Sequence, residues 1–178
     1  MIAAAFFPLA ASGAQAATLQ GDTVSCGIVS TGPWSCSTST ALVGMGSEFT
    51  LQFFGNDLFS VDIAASSIRL DFVSGSLGAG AGELLTFSDL DFTPASNIVG
   101  IGNFQTTALF GVQASDVSFT ADSVSFDFNG TDWRNGQFVS FDLVTAQTGV
   151  VPLPAGLPLL LAGLGGLGLL ARRKRKAA

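Results

Sequence analysis

Cys26 and Cys36 are the two cysteines of this sequence, ten positions apart, and their chemistry depends on compartment. In an exported chain an even, close pair reads as a disulfide, and in a cytosolic one as two free thiols. A turn centred near Thr31 would set them directly opposite each other in a β-hairpin. Zinc is a poor fit, because the sequence has no His and no further Cys to complete a tetrahedral site. The same lack of His rules out Ser-His-Asp and Cys-His nucleophilic pairs. Carboxylates remain. Asp89 and Asp91 form the closest acidic pair, and on a strand residues i and i+2 share a face, so the two could converge on one calcium ion. No EF-hand loop or nonapeptide calcium repeat accompanies them, and a solvated acidic face is the plainer reading. Glycoside hydrolysis needs only two carboxyl groups some 5–9 Å apart. For that the chain offers Glu48 and Glu83, with Trp34 and Trp133 as the sole tryptophans and no Tyr. The expectation is a protein that is not an enzyme and holds no cofactor, with calcium as the one alternative.

Charge narrows the partners. Charged residues make up 11% of the chain, against roughly 25% in an average soluble domain. The net charge of −6 conceals a strong polarity: all 13 acids lie between Asp22 and Asp142, while Arg172, Arg173, Lys174, Arg175 and Lys176 crowd the C-terminal end. The middle of the chain therefore sets 13 acids against Arg69 and Arg134. Such a segment repels phosphate backbones, which excludes nucleic acid as a partner.

Both ends read as targeting sequence. Residues 1–16 are an apolar stretch ending in Ala14-Gln15-Ala16, the small-x-small pattern of a signal-peptide cleavage site, so the mature chain would begin at Ala17. Pro8 and Gly13 argue against a buried helix there. No Lys or Arg precedes the apolar run, so a translation start upstream of Met1 is expected.

Residues 17–149 should fold as one acidic domain, large enough to bury a core of its own. Phe59, Val61 and Ile63 alternate with Ser60 and Asp62; Ile68, Leu70 and Phe72 with Arg69 and Asp71. Val124, Phe126 and Phe128 alternate with Ser125 and Asp127; Val139, Phe141 and Leu143 with Ser140 and Asp142. Period-two alternation over five to seven residues predicts half-buried strands. Gly32-Pro33, Gly55-Asn56-Asp57, Asn129-Gly130 and Asn135-Gly136 supply turn signals between them. The expected fold is all-β, an antiparallel β-sandwich of about eight to ten strands. Residues 75–82, rich in Gly, should form its most flexible loop. Asn129-Gly130-Thr131 matches a glycosylation acceptor but reads as a hairpin turn.

Residues 150–178 carry the most specific signal. Val151, Pro152, Leu153, Pro154 and Ala155 stand at the head of an uncharged run reaching residue 171, and the five basic residues follow at once. Length permits a membrane-spanning helix, and the basic cluster would hold the C-terminus in the cytoplasm. The cleanly helical part, 157–170, spans only about 21 Å. Prolines at 152, 154 and 158 favour extended, accessible backbone at its outer end. The sequence 163–168 spells G-x-G-x-x-G, but it follows no strand and has no acid 20 residues on, so it is coincidence.

Motif, apolar run and basic cluster together resemble the VPLPA variant of the PEP-CTERM sorting signal of alphaproteobacteria. The resemblance implies an exosortase, an integral-membrane transpeptidase-like enzyme, as processing partner, with the C-terminal helix as membrane anchor before processing. It implies a final location at the cell surface or outside the cell, where exopolysaccharide is a candidate neighbour. The expected role is structural or adhesive. A calcium-assisted glycan-binding module delivered by the same route is the alternative, and an extracellular glycan hydrolase comes third.

Overall fold

A computed structural model describes residues 16–78 and 82–146. The signal segment, the tip of the Gly-rich loop, the sorting motif 151–155, the sequence 163–168 and the basic cluster 172–176 fall outside the described residues. What is described belongs to one compact unit, Ala16–Thr148.

The unit is all-β and antiparallel, as the alternation requires. A five-stranded sheet joins β1 (Thr23–Val29), β3 (Thr40–Leu42), β8 (Leu84–Ser88), β10 (Val117–Phe119) and β11 (Val124–Asp127) in the order β10-β11-β8-β1-β3. A six-stranded sheet joins β2 (Trp34–Cys36), β4 (Phe49–Phe53), β5 (Asn56–Ile63), β6 (Ser67–Phe72), β9 (Ile98–Thr106) and β13 (Phe138–Thr145) in the order β2-β4-β5-β6-β13-β9. The short strands β7 (Ser76–Leu77) and β12 (Trp133–Arg134) pair with each other. These 13 strands exceed the expected eight to ten, because pieces of two or three residues are too short to show a period.

Each predicted inward residue is buried: Phe59, Val61, Ile63, Ile68, Leu70, Phe72, Val124, Phe126, Phe128, Val139, Phe141 and Leu143 all belong to one apolar cluster. The two sheets contribute jointly to that cluster, giving a sandwich-like arrangement. Phe49 of β4 stacks on Phe87 of β8 with ring centroids 5.8 Å apart. Phe59 of β5 lies 5.2 Å from Phe128, just past β11, and 5.0 Å from Trp133. Aromatic pairs at such separations add roughly 0.5–1.5 kcal/mol each beyond area burial. Phe suits a dry core because it has no hydroxyl to satisfy. Trp133 is fully buried, and its indole N–H donates to Thr131 Oγ1 at 2.9 Å. The Thr131 hydroxyl in turn donates to the Phe128 carbonyl at 2.8 Å.

Three local expectations need correction. Cys26 and Cys36 are bonded to each other, but not across a hairpin. β1 pairs with β3 and β8, whereas β2 pairs with β4. The chain around Gly32-Pro33 crosses from one sheet to the other, and the disulfide staples the two sheets together. At the β4–β5 hairpin the two turn residues are Phe54 and Gly55, at φ +50° and +74°. Asn56 and Asp57 already belong to β5, because a two-residue loop with both residues left-handed matches the twist of the flanking strands. Gly130 has the expected positive φ of 75°, but the strands on either side of Asn129-Gly130, β11 and β12, do not pair with each other. Within residues 75–82, Ser76 and Leu77 are ordered by pairing with Arg134 and Trp133.

Candidate functional site

The acidic pair singled out from sequence does not sit on a strand. β8 ends at Ser88, and Asp89 turns the chain with φ +61°, so the i, i+2 argument loses its premise. Both carboxylates stay exposed. Ser25 donates its hydroxyl to Asp89 Oδ2, while the Asp91 backbone N–H donates to Asp22 Oδ2 at 2.8 Å. Asp22 also receives the Thr23 N–H. These acids fasten the turn that follows β8. Among the described residues no group of three or more His, Cys, Asp or Glu is arranged to hold a metal.

Of the two glutamates, Glu48 has a structural task, while Glu83 keeps a buried Oε2 with no hydrogen-bond partner among the described residues. Glu48 accepts the Gly44 N–H through Oε1 at 2.9 Å and the Ile63 N–H through Oε2 at 2.7 Å, closing the loop before β4. Glu83 is buried at the entrance to β8. Trp34 and Trp133 are core residues, so neither offers a face on which a sugar ring could stack.

Polar groups converge elsewhere, on the outer face of the six-stranded sheet. Cross-strand register aligns Asp62 with Arg69, Arg69 with Ser140, and Ser140 with Gln105. One row thus crosses β5, β6, β13 and β9. The next row sets Ser67 opposite Asp142, with Asn103 beside it. Together they line an open groove of about 350 Å3.

The groove's side chains are held in place. Arg69 makes a two-pronged ion pair with Asp71, Nε to Oδ2 at 2.7 Å and Nη2 to Oδ1 at 2.6 Å. Its guanidinium carbon also lies 3.8 Å from the centre of the Phe138 ring. The Asp71 hydrogen bond, reinforced by the charges of Asp71 and Asp62, holds the Arg69 guanidinium above its ordinary value, so it is cationic. Asn103 owes its position to a β-bulge. Between the pairs Ser140–Gln105 and Asp142–Gly102, β9 carries one residue more than β13. Asn103 takes the left-handed conformation, φ +44°, which few residues other than Gly, Asn and Asp adopt. Its amide then donates to Asp142 Oδ2. Bulges of this kind re-aim a side chain and recur beside functional sites.

The outward direction of Asp62, Arg69, Ser140 and Asp142 was legible from alternation. Their convergence was not, because register is a property of pairs of strands. Asn103 and Gln105 escaped notice altogether. The only trace was the lapse of regular alternation in Ile-Val-Gly-Ile-Gly-Asn-Phe-Gln-Thr.

Compared with known proteins, the chain matches no family model, no curated protein and no solved structure.

Proposed function

We propose that this chain is an exported bacterial surface protein whose β-sandwich ectodomain, 17–149, is delivered by a cleaved signal peptide and sorted by its tail. An exosortase processes the segment 150–178 near Val151, Pro152, Leu153, Pro154 and Ala155. The ectodomain then stays at the surface or in the extracellular matrix, in a structural or adhesive role without catalysis. The observation that carries this reading is the tail itself: a full five-residue match, an uncharged run and a terminal basic cluster, in that order. Each part has a physical task. Proline disfavours helix and so favours a backbone open to cleavage, the apolar run would fix its depth, and the basic cluster would stop the tail from slipping through. The inter-sheet disulfide supports export, since such bonds persist in oxidising compartments. Of the two carboxyl groups offered for glycan hydrolysis, Glu48 is committed to the backbone amides of Gly44 and Ile63.

The rival is permanent anchoring by an ordinary membrane span, which predicts an intact tail. Changing Pro152 and Pro154 to Ala separates the two, because a simple anchor tolerates better helix formers. Under the sorting reading the double variant accumulates as full-length membrane-bound precursor, while the wild type yields a form lacking the residues after the motif. Intact mass of surface-extracted wild-type protein with Ala178 still attached, in a strain with a working exosortase, refutes it.

A further inference from the structure

We propose that the groove across β5, β6, β13 and β9 is a binding site for a neutral oligosaccharide. The site needs neither calcium nor the tail, so it stands or falls apart from the sorting reading.

The groove presents mostly polar atoms. Its volume, about 350 Å3, lies at the lower end of the roughly 300–1,000 Å3 typical of small-molecule sites. Such sites are mostly apolar with a few polar groups, and this one reverses the proportion. Carboxylate acceptors on Asp62 and Asp142 alternate with donors on Arg69, Asn103 and Gln105, and hydroxyls from Ser67 and Ser140 fill the gaps. A ligand that meets this surface must itself donate and accept at closely spaced points. Adjacent hydroxyls of a sugar do so, since each is one donor and two acceptors.

Charge excludes the obvious competitors. Two carboxylates face one guanidinium that is already paired with Asp71, so phosphates and uronates are repelled. Apolar ligands find too little matching surface. The row from Asp62 to Gln105 crosses four strands, about 14 Å at the spacing of neighbouring strands, which fits a chain of sugar units better than a single one.

The groove is also preorganised. Sites on regular strands are held more firmly than sites on loops. Arg69 is fixed by Asp71 and the Phe138 ring, and Asn103 by the bulge and Asp142. The groove therefore presents its donors without first ordering them, which lowers the entropic cost of binding. No tryptophan lines it, so affinity rests on hydrogen bonds alone and belongs in the millimolar range.

Ala16–Thr148 is a compact unit that contains the whole described core, and it is the sample of choice. Backbone amide spectra of this unit are followed during titration with cellotetraose, maltotetraose and mannotetraose, and with trigalacturonate as the anionic comparison. At least one neutral probe should shift amides of β5, β6, β9 and β13 around the groove. Asp142→Asn and Gln105→Ala should each weaken that binding about tenfold, with the remaining spectrum unchanged as proof of folding. Gln105 is exposed at the groove's rim, so its substitution tests the site even if the Asp142 variant disturbs the bulge. The proposal is overturned by any of four results: no shift with any neutral probe at tens of millimolar, shifts that map elsewhere, preference for trigalacturonate, or variants that bind as well as wild type.

Discussion

The two faces of the six-stranded sheet are built from the same strands and do opposite work. On β6, Ile68, Leu70 and Phe72 enter a core where each is fully covered, while Ser67, Arg69 and Asp71 stand half exposed on the other side. The inner face is held by area and shape: Phe49 of one sheet meets Phe87 of the other at 5.8 Å, further rings pack around Phe59, and each removed atom leaves a hole. The outer face is held by pairs of charges and amides that water could solvate almost as well. The two faces divide the labour. The inner face supplies the stability of the fold, and the outer face spends little of it, so its residues are free to serve a ligand.

A cavity on the inner face challenges that division most directly. Phe59 is fully buried between Phe72, Phe128 and Trp133, and Phe59→Ala should cost about 3–5 kcal/mol. Urea unfolding followed by tryptophan fluorescence measures it, and a loss below about 1 kcal/mol would mean the core is far looser than its geometry.

The staple between the sheets comes next. Cys26 and Cys36 close a short loop with Cα atoms 6.3 Å apart, and replacing both with Ser should remove about 2–4 kcal/mol. Reduction of the wild type should reproduce that loss. Two thiols that alkylate without reductant in the exported protein would eliminate the bond.

The smallest effect belongs to the outer face. The Arg69–Asp71 pair is 42% and 38% exposed, and solvent-screened pairs contribute about 0–1 kcal/mol. Arg69→Met should therefore leave the unfolding midpoint nearly unchanged while altering the groove. A loss comparable to Phe59→Ala would show that the outer face carries the fold after all.

How much of this could be read in advance follows from the range of each interaction. Strand identity and the inward set at 59–63, 68–72, 124–128 and 139–143 were legible, because alternation is written along one strand and needs no partner. The disulfide was legible as a pair but not as a place, since sequence spacing cannot say whether two strands joined by a turn lie in one sheet or two. Asp89 and Asp91 misled for a related reason. Alternating exposure continues past Ser88, yet Asp89 at φ +61° has already left the strand.

An all-β antiparallel unit, its buried face, its acidic exterior, its cysteine pair and the order of parts in its tail all follow from the order of residues along the chain. Which sheet each strand joins, and with it the inter-sheet position of the disulfide and the row from Asp62 to Gln105, depends on contacts between distant strands. Register is set by how two strands bury their apolar faces together, and a one-residue change in that pairing moves every side chain to the other face. The bulge at Asn103 is such a change confined to one place. Its cause lies in the fit of β9 to β13, which no stretch of either strand contains alone.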